Sequence, residues 1–173
     1  MSQKLTTVLE DDFMREETKA TKENSQELRV NAMQKIDAMP VKTLQDEMVK
    51  RIYDWWGNWV PDYEGWLKLA DSLYAPDAII NAIGGEQKYS EYRLSMKDQR
   101  DRCTMAMGPI LQSIVGEDTV ALVYDMYLMP KGMENKVTFT MTVTEFNHFG
   151  IVDGKLMVTR LDLYTDGGNM LRG

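Results

Sequence analysis

The chain has 173 residues, 43% of them apolar, and a formal net charge of −7. At that length a folded chain buries roughly 70% of the surface it exposes when unfolded, so one well-packed domain is expected. The excess of acid argues against a nucleic-acid partner, which shows itself as a basic patch, and equally against an anionic membrane surface. The single cysteine, Cys103, excludes an intrachain disulfide and fits a reducing, cytoplasmic compartment. With one histidine, His148, beside it, a structural zinc site is not expected. No apolar run reaches the roughly 18 residues of a membrane span, and the opening MSQKLTTVLEDDF lacks the apolar core of a signal peptide.

In chain order, residues 1–39 read as an arm outside a main domain of residues 40–173. Between Arg15 and Glu27 the arm has no large apolar side chain. Leu28, Val30, Met33, Ile36 and Met39 then recur near the helical period, so residues 26–39 are predicted as an amphipathic helix. Beyond Pro40, Thr43 is an N-cap candidate for a helix with Leu44, Met48, Ile52, Trp55, Trp56 and Trp59 on one stripe. Pro61-Asp62 ends it, and residues 63–74 form a second helix. Residues 74–77 read as a turn into a short strand over 78–83, closed by Gly84-Gly85. A third helix is predicted over 90–107, stopped by Gly108-Pro109. The period then changes from 3.6 to 2, with strands at 110–116, 119–129, 136–149 and 155–165. Asp153-Gly154 between the last two is a strong hairpin signal. Helices followed by an antiparallel meander predict an α+β domain with the helices on one face of the sheet.

That order, with three local patterns, resembles the nuclear-transport-factor-2-like (NTF2-like) superfamily of cone-shaped α+β domains, and within it the SnoaL-like branch. The patterns are Leu73-Tyr74-Ala75-Pro76-Asp77-Ala78 entering the first strand, Val152-Asp153-Gly154-Lys155-Leu156 at the last hairpin, and Leu163-Tyr164-Thr165-Asp166 ending the last strand. The match covers residues 44–166. The resemblance implies a curved antiparallel sheet on about three helices, a pocket against its inner face, and pairing of two copies through its outer face. Polyketide cyclases and ketosteroid isomerases of this superfamily move protons without metal or other cofactor. The superfamily also holds members that catalyse nothing, so fold alone does not make an enzyme.

Side-chain alternation sorts the hairpin residues into two faces. A loop centred on Gly132-Met133 sets Leu122, Tyr124, Met126 and Leu128 opposite Val143, Met141, Phe139 and Val137, facing the core. Val123, Asp125 and Tyr127 share the other face with Thr138, Thr140 and Thr142. This second face, β-branched and poor in charge, is expected to contact solvent or a second copy of the chain. Met126, Met141 and Met157 are candidates to line an adaptable apolar pocket, with Met105, Met107 and Met129 as core filler.

Glu145 continues the inward series Val137, Phe139, Met141, Val143, and an acid on an apolar face is the most informative residue in the chain. Burial raises the pKa of such a group and can keep it protonated. By the resemblance, it falls where ketosteroid isomerases place the protonated acid of their oxyanion hole. If the strand ends near 145, the carboxylate instead meets solvent. The same resemblance calls for a phenol partner on the first helix, near Tyr53, with Tyr124 a second phenol on the inward face. The position of that family's base falls on Ala82, which cannot take a proton.

His148 and Asp162 form a competing pair, since polyketide cyclases of the superfamily use an Asp assisted by His. A tight turn at Asp153-Gly154 sets Glu145 opposite Asp162. A register bulged by one residue puts His148 on the face of Asp162, and Glu145 with Leu161 and Leu163. The bulged register gives the last strand the more apolar inner face, Met157, Thr159, Leu161 and Leu163, and sends His148 and Asp162 outward. Two functions follow: a SnoaL-like proton-transfer enzyme for a small apolar carbonyl compound, or a ligand-binding or dimerisation module of the same fold. The polar lining of the pocket separates them.

Overall fold

The computed structural model describes residues 40–132 and 139–166, together with residues 30, 31, 34 and 38. Most of the helix expected over 26–39 lies outside the described residues, as do Val137 and Thr138. From residue 40 the elements run α1 (Leu44–Gly57), α2 (Tyr63–Leu73), β1 (Tyr74–Ala82), β2 (Gly85–Lys88), α3 (Tyr89–Arg102), β3 (Cys103–Val115), β4 (Thr119–Pro130), β5 (Phe139–Val152) and β6 (Lys155–Thr165). Among the described residues no helix is long and apolar enough to cross a membrane.

Local chemistry starts the first two helices. The Thr43 hydroxyl accepts from the Asp46 amide at 3.1 Å, and the Asp46 carboxylate accepts from the Thr43 amide at 2.9 Å, a reciprocal capping box. Asp62 caps α2 by accepting from the Gly65 amide at 2.7 Å. Met48, Ile52, Trp56 and Trp66 then lie at or below 1% exposure between the helices and the sheet. Burying one such side chain contributes about 1.5–3 kcal/mol, so this stripe fixes α1 on the sheet.

The six strands form one sheet in the order β2-β1-β6-β5-β4-β3. Four neighbouring pairs are antiparallel, and β1 runs parallel to β6, so the sheet is mixed rather than wholly antiparallel. The turn expected at 74–77 is already strand, since α2 passes into β1 at Tyr74. The short β2 returns along β1 after Gly84 and went unpredicted.

The third helix ends five residues earlier than expected. Cys103 to Met107 pair with Pro130 to Met126 and belong to β3. Met105 and Met107 are buried while Thr104 and Ala106 are not, the period-2 pattern of a strand. Gly108-Pro109 therefore stops no helix. It is a bulge in β3, with the register shifting between Met107 and Ile110. A methyl group on Gly108 would lie 2.8 Å from the Asp125 carbonyl oxygen, so the bulge needs glycine there. Cys103, expected in mid-helix, is the half-buried first residue of β3.

Two registers decide the site. On β4–β5, Tyr124 faces Val143 and Leu122 faces Glu145, two residues from the expected pairing. A slip of two preserves which face each side chain occupies, so the inward set stands. On β5–β6, Asp153 and Gly154 both have positive φ (49° and 75°) in a tight turn that starts the ladder at Val152–Lys155. The register then shifts across Thr159, from Phe149–Val158 to His148–Arg160. Before this bulge Leu156 and Val158 are the buried side chains of β6, in place of Met157 and Thr159. After it Leu161 turns inward, with Glu145 facing Leu163.

Candidate functional site

A cavity of about 130 Å³ lies between the inner face of the sheet and the helices. Its deep walls are Tyr124, Met126, Val143, Glu145 and Leu161 from the sheet, with Trp55 and Trp59 from the α1 end. Ile83, Gln87 and Ser95, which are partly or well exposed, mark the side nearest solvent. Met126 and Met141 line the cavity as expected, joined by Met96 and Met105, whereas Met157 does not. The chain thus places four soft, adaptable thioethers around one carboxyl group.

Glu145 is 1% exposed and belongs to the cavity wall. Tyr124 donates from its hydroxyl to Oε2 at 3.1 Å, and Asn147 donates from Nδ2 to Oε1 at 3.1 Å. Asn147 is itself fully buried, and its Nδ2 also reaches the Val120 carbonyl at 3.4 Å. Burial pushes the Glu145 carboxyl up to about 7, while the bonds from Asn147 and Tyr124 hold it from rising further. Both oxygens accept hydrogen bonds, an arrangement that supports the charged form. Such a carboxyl exchanges a proton near neutrality, unlike an acid locked in its protonated form.

Two further phenols, Tyr74 and Tyr92, line the same cavity. Burial raises the pKa of Tyr74, Tyr92 and Tyr124, and in each the nearby Glu145 charge adds to the effect. All three therefore remain donors across the neutral range. Tyr124 spends its proton on Glu145, but the Tyr74 and Tyr92 hydroxyls have no hydrogen-bond partner among the described residues. Sequence reasoning missed both, and it missed Asn147. Asn147 had a signal, being one step beyond Glu145 in the inward alternation. Tyr74 and Tyr92 had none, because β1 and α3 meet Glu145 only in the folded domain.

Tyr53 does not reach this group. It is buried at 2% exposure on α1, and its hydroxyl donates to the Ser113 hydroxyl of β3 at 3.2 Å, away from the cavity wall. Trp55, which does line the site, is two residues further along α1 and so about 200° around the helix from Tyr53. Ala82 sits in the wall and offers no proton acceptor.

His148 and Asp162 do meet, on the opposite face of the sheet. His148 Nε2 lies 3.2 Å from Asp162 Oδ2, and His148 Nδ1 lies 3.0 Å from the Thr119 hydroxyl. Arg160 donates to both Asp162 oxygens, at 2.9 Å from Nε and 2.8 Å from a terminal nitrogen, and Asn81 adds a bond at 3.0 Å. The Arg160 guanidinium, foremost, holds the Asp162 carboxyl down at about 2. Neither residue belongs to the cavity wall, so the pair is separate from Glu145.

Arg100 on α3 is 2% exposed, with no hydrogen-bond partner among the described residues for any guanidinium nitrogen. Its charge centre lies over the rings of Trp59 and Trp66, at 4.5 and 5.1 Å from their centroids. These π faces take the place of hydrogen bonds. Arg100 is no part of the cavity wall, and burial lowers its pKa to about 10.

No family model matches the chain, and no curated protein does. Solved structures do match. AclR, a provisionally assigned hydroxylase from Streptomyces galilaeus, shares 14% identity over 70% of this chain and 90% of its own, with a TM-score of 0.55. A provisionally assigned polyketide cyclase from Xanthomonas campestris pv. campestris shares 12% over 70% and 92%, with a TM-score of 0.54. An NTF2-like protein of unknown function from Pseudomonas putida shares 16% over 69% and 84%, with a TM-score of 0.51. At these identities the likeness is one of fold, and the fold is NTF2-like α+β.

Proposed function

We propose that this protein is a SnoaL-like enzyme that moves a proton on a small, largely apolar carbonyl compound, using Glu145 as both base and acid. The observation that carries the reading is a buried carboxyl in a cavity wall, lifted to about 7 and held by two neutral donors. A general base works best when its pKa lies near the operating pH. The carboxylate takes the proton from the carbon next to the carbonyl. The C–H electron pair becomes a C=C bond, and the carbonyl pair moves onto oxygen. Phenol donors at that oxygen stabilise the charge as it develops. Protonated Glu145 then returns the proton to the same carbon or to the far end of a conjugated system, which is isomerisation. Dehydration or cyclisation begins with the same enolate. Glu145 thereby fills the role that Ala82 cannot.

Incubation of the protein in D2O with small cyclic ketones and enones, followed by proton NMR, tests this. Deuterium should enter next to the carbonyl faster than in buffer, and Glu145→Gln should remove the acceleration. A wild-type protein that binds such compounds without exchange would sink the enzyme reading. A non-catalytic ligand-binding module is the second reading, favoured by one feature: Glu145 is the sole carboxyl in the cavity wall among the described residues. We further propose a cytoplasmic homodimer paired through the outer face of the sheet.

A further inference from the structure

We infer that the cavity is built for neutral, single-ring ketones or enones, with the carbonyl oxygen held by the hydroxyls of Tyr74 and Tyr92. The inference rests on the proton-transfer reading for its carbonyl group, and takes the ring size, the charge and the donors from the cavity itself.

Size comes first. The cavity measures about 130 Å³, against about 150 Å³ for an apolar cavity known to admit benzene. One six-membered ring fills that space, and a fused second ring exceeds it. Charge comes next. Among the described residues the wall holds one acid, Glu145, and no lysine, arginine or histidine. The nearby cation, Arg100, is sealed against Trp59 and Trp66 outside the wall. A carboxylate or phosphate entering here would lose its hydration, touch no cation among the described wall residues and face Glu145, so anions are disfavoured.

The donors then fix the polar end. Tyr124 and Asn147 are committed to Glu145. Tyr74 and Tyr92 belong to the same wall, lie within the electrostatic reach of Glu145, and have hydroxyls with no partner among the described residues. A carbonyl oxygen has two lone pairs and accepts two such bonds. Trp55 and Trp59, the thioethers of Met96, Met105, Met126 and Met141, and aliphatic side chains make up most of the remaining surface, with Gln87, Ser95, Gln99 and Thr165 as its other polar residues. Sulfur and aromatic surfaces of this kind suit a flat ring face.

The test titrates the full chain with four probes, following tryptophan fluorescence because Trp55 and Trp59 line the cavity. Cyclohex-2-enone should bind saturably. Cyclohexanecarboxylate, decalin-1-one and methylenecyclohexane should each bind at least about tenfold more weakly, the scale of one or two lost hydrogen bonds or a clash. Tyr74→Phe and Tyr92→Phe together should weaken the enone about tenfold, leaving methylenecyclohexane unchanged. The wild-type probe series stands even if the double variant fails to fold. Equal or tighter binding of the bicyclic ketone or the carboxylate would overturn the inference, as would an indifferent double variant. The two proposals fail separately. Selective enone binding without deuterium exchange removes the enzyme and keeps this ligand class, whereas exchange on decalin-1-one but not on the enone does the reverse.

Discussion

Tyr124 and Glu145 are diagonal neighbours across the β4–β5 ladder: Tyr124 faces Val143, Leu122 faces Glu145, and the 3.1 Å hydrogen bond runs between the two pairs. Diagonal side chains on one face lie about 7–8 Å apart at their Cα atoms, within reach for a long phenol and a glutamate. The bond therefore follows from register and alternation alone. It sets one oxygen of the carboxylate, while Asn147, two residues along the same strand, sets the other.

Removing that phenol should shift a pH profile. The hydroxyl favours the charged form of Glu145, so Tyr124→Phe should raise the Glu145 pKa above its value of about 7. The exchange rate against pH should then rise to its plateau at higher pH than in the wild type, by up to about one unit for one neutral hydrogen bond. An unchanged midpoint, with the fold intact by circular dichroism, would show that Tyr124 does not tune this carboxyl.

Glu145→Gln separates chemistry from structure. The amide keeps the shape, accepts from Asn147 and can donate to the Tyr124 oxygen, so that the Tyr124 hydroxyl proton is the main group to lose its acceptor. Exchange should fall by about 10²-fold or more, the scale of a lost acid–base group. Ligand affinity should change far less. A variant that retains more than about a tenth of the activity would assign the proton transfer elsewhere.

Much of this was legible in the chain. Thr43 and Asp153-Gly154 mark their cap and turn by chemistry that acts over three or four residues, and the structure uses both as read, whereas Asp62, read only as part of a helix end, caps α2. Glu145 was legible because alternation survives a register slip of two. The Gly108-Pro109 bulge was not, since that pair also looks like a helix stop. A bulged register of the last hairpin was expected, but its place was not legible because Thr159 carries no local mark. The end of α3 was misplaced because Cys103 to Met107 suits a helix until β4 lies beside it. Tyr74 and Tyr92 depended on contacts between distant segments, which no local pattern records.

The β3 bulge gives a stability test independent of function. Gly108→Ala would place a methyl group 2.8 Å from the Asp125 carbonyl oxygen and 3.0 Å from the Tyr127 hydroxyl. Backbone and a largely buried side chain must move to admit it, so the variant should lose about 1–3 kcal/mol in urea unfolding. A neutral outcome would mean the bulge relaxes freely.

Assembly turns on the outer face. Phe146 and Tyr164 lie there at 37% and 54% exposure, edge to face with centroids 6.2 Å apart. Thr140, Thr142 and Val123 are on the same side of the sheet. A surface of this kind meets its own copy about a two-fold axis more readily than another protein. Light scattering of the full chain at micromolar concentration should give twice the 19.9 kDa chain mass, and Phe146→Lys should return the monomer. A monomeric wild type would refute the pairing.

The buried carboxyl also predicts how stability depends on pH. Glu145 releases its proton at about 7 in the folded chain, against 4.5 for the ordinary group. Between these values the unfolded chain has lost the proton and the folded chain keeps it, so stability falls as pH rises across the window. The loss for this one group is on the order of 3 kcal/mol, complete just above pH 7. Asp162 works in the opposite sense and lower down: held at about 2 by Arg160, it weakens the fold only as pH drops below its ordinary 3.8. The two effects therefore do not overlap. Urea unfolding of the wild type and Glu145→Gln from pH 5 to 8 isolates the first, because glutamine cannot titrate. The difference in stability should grow with pH in favour of the variant. Parallel curves would mean that Glu145 carries the same charge folded and unfolded, and the acid–base role proposed for it would fall.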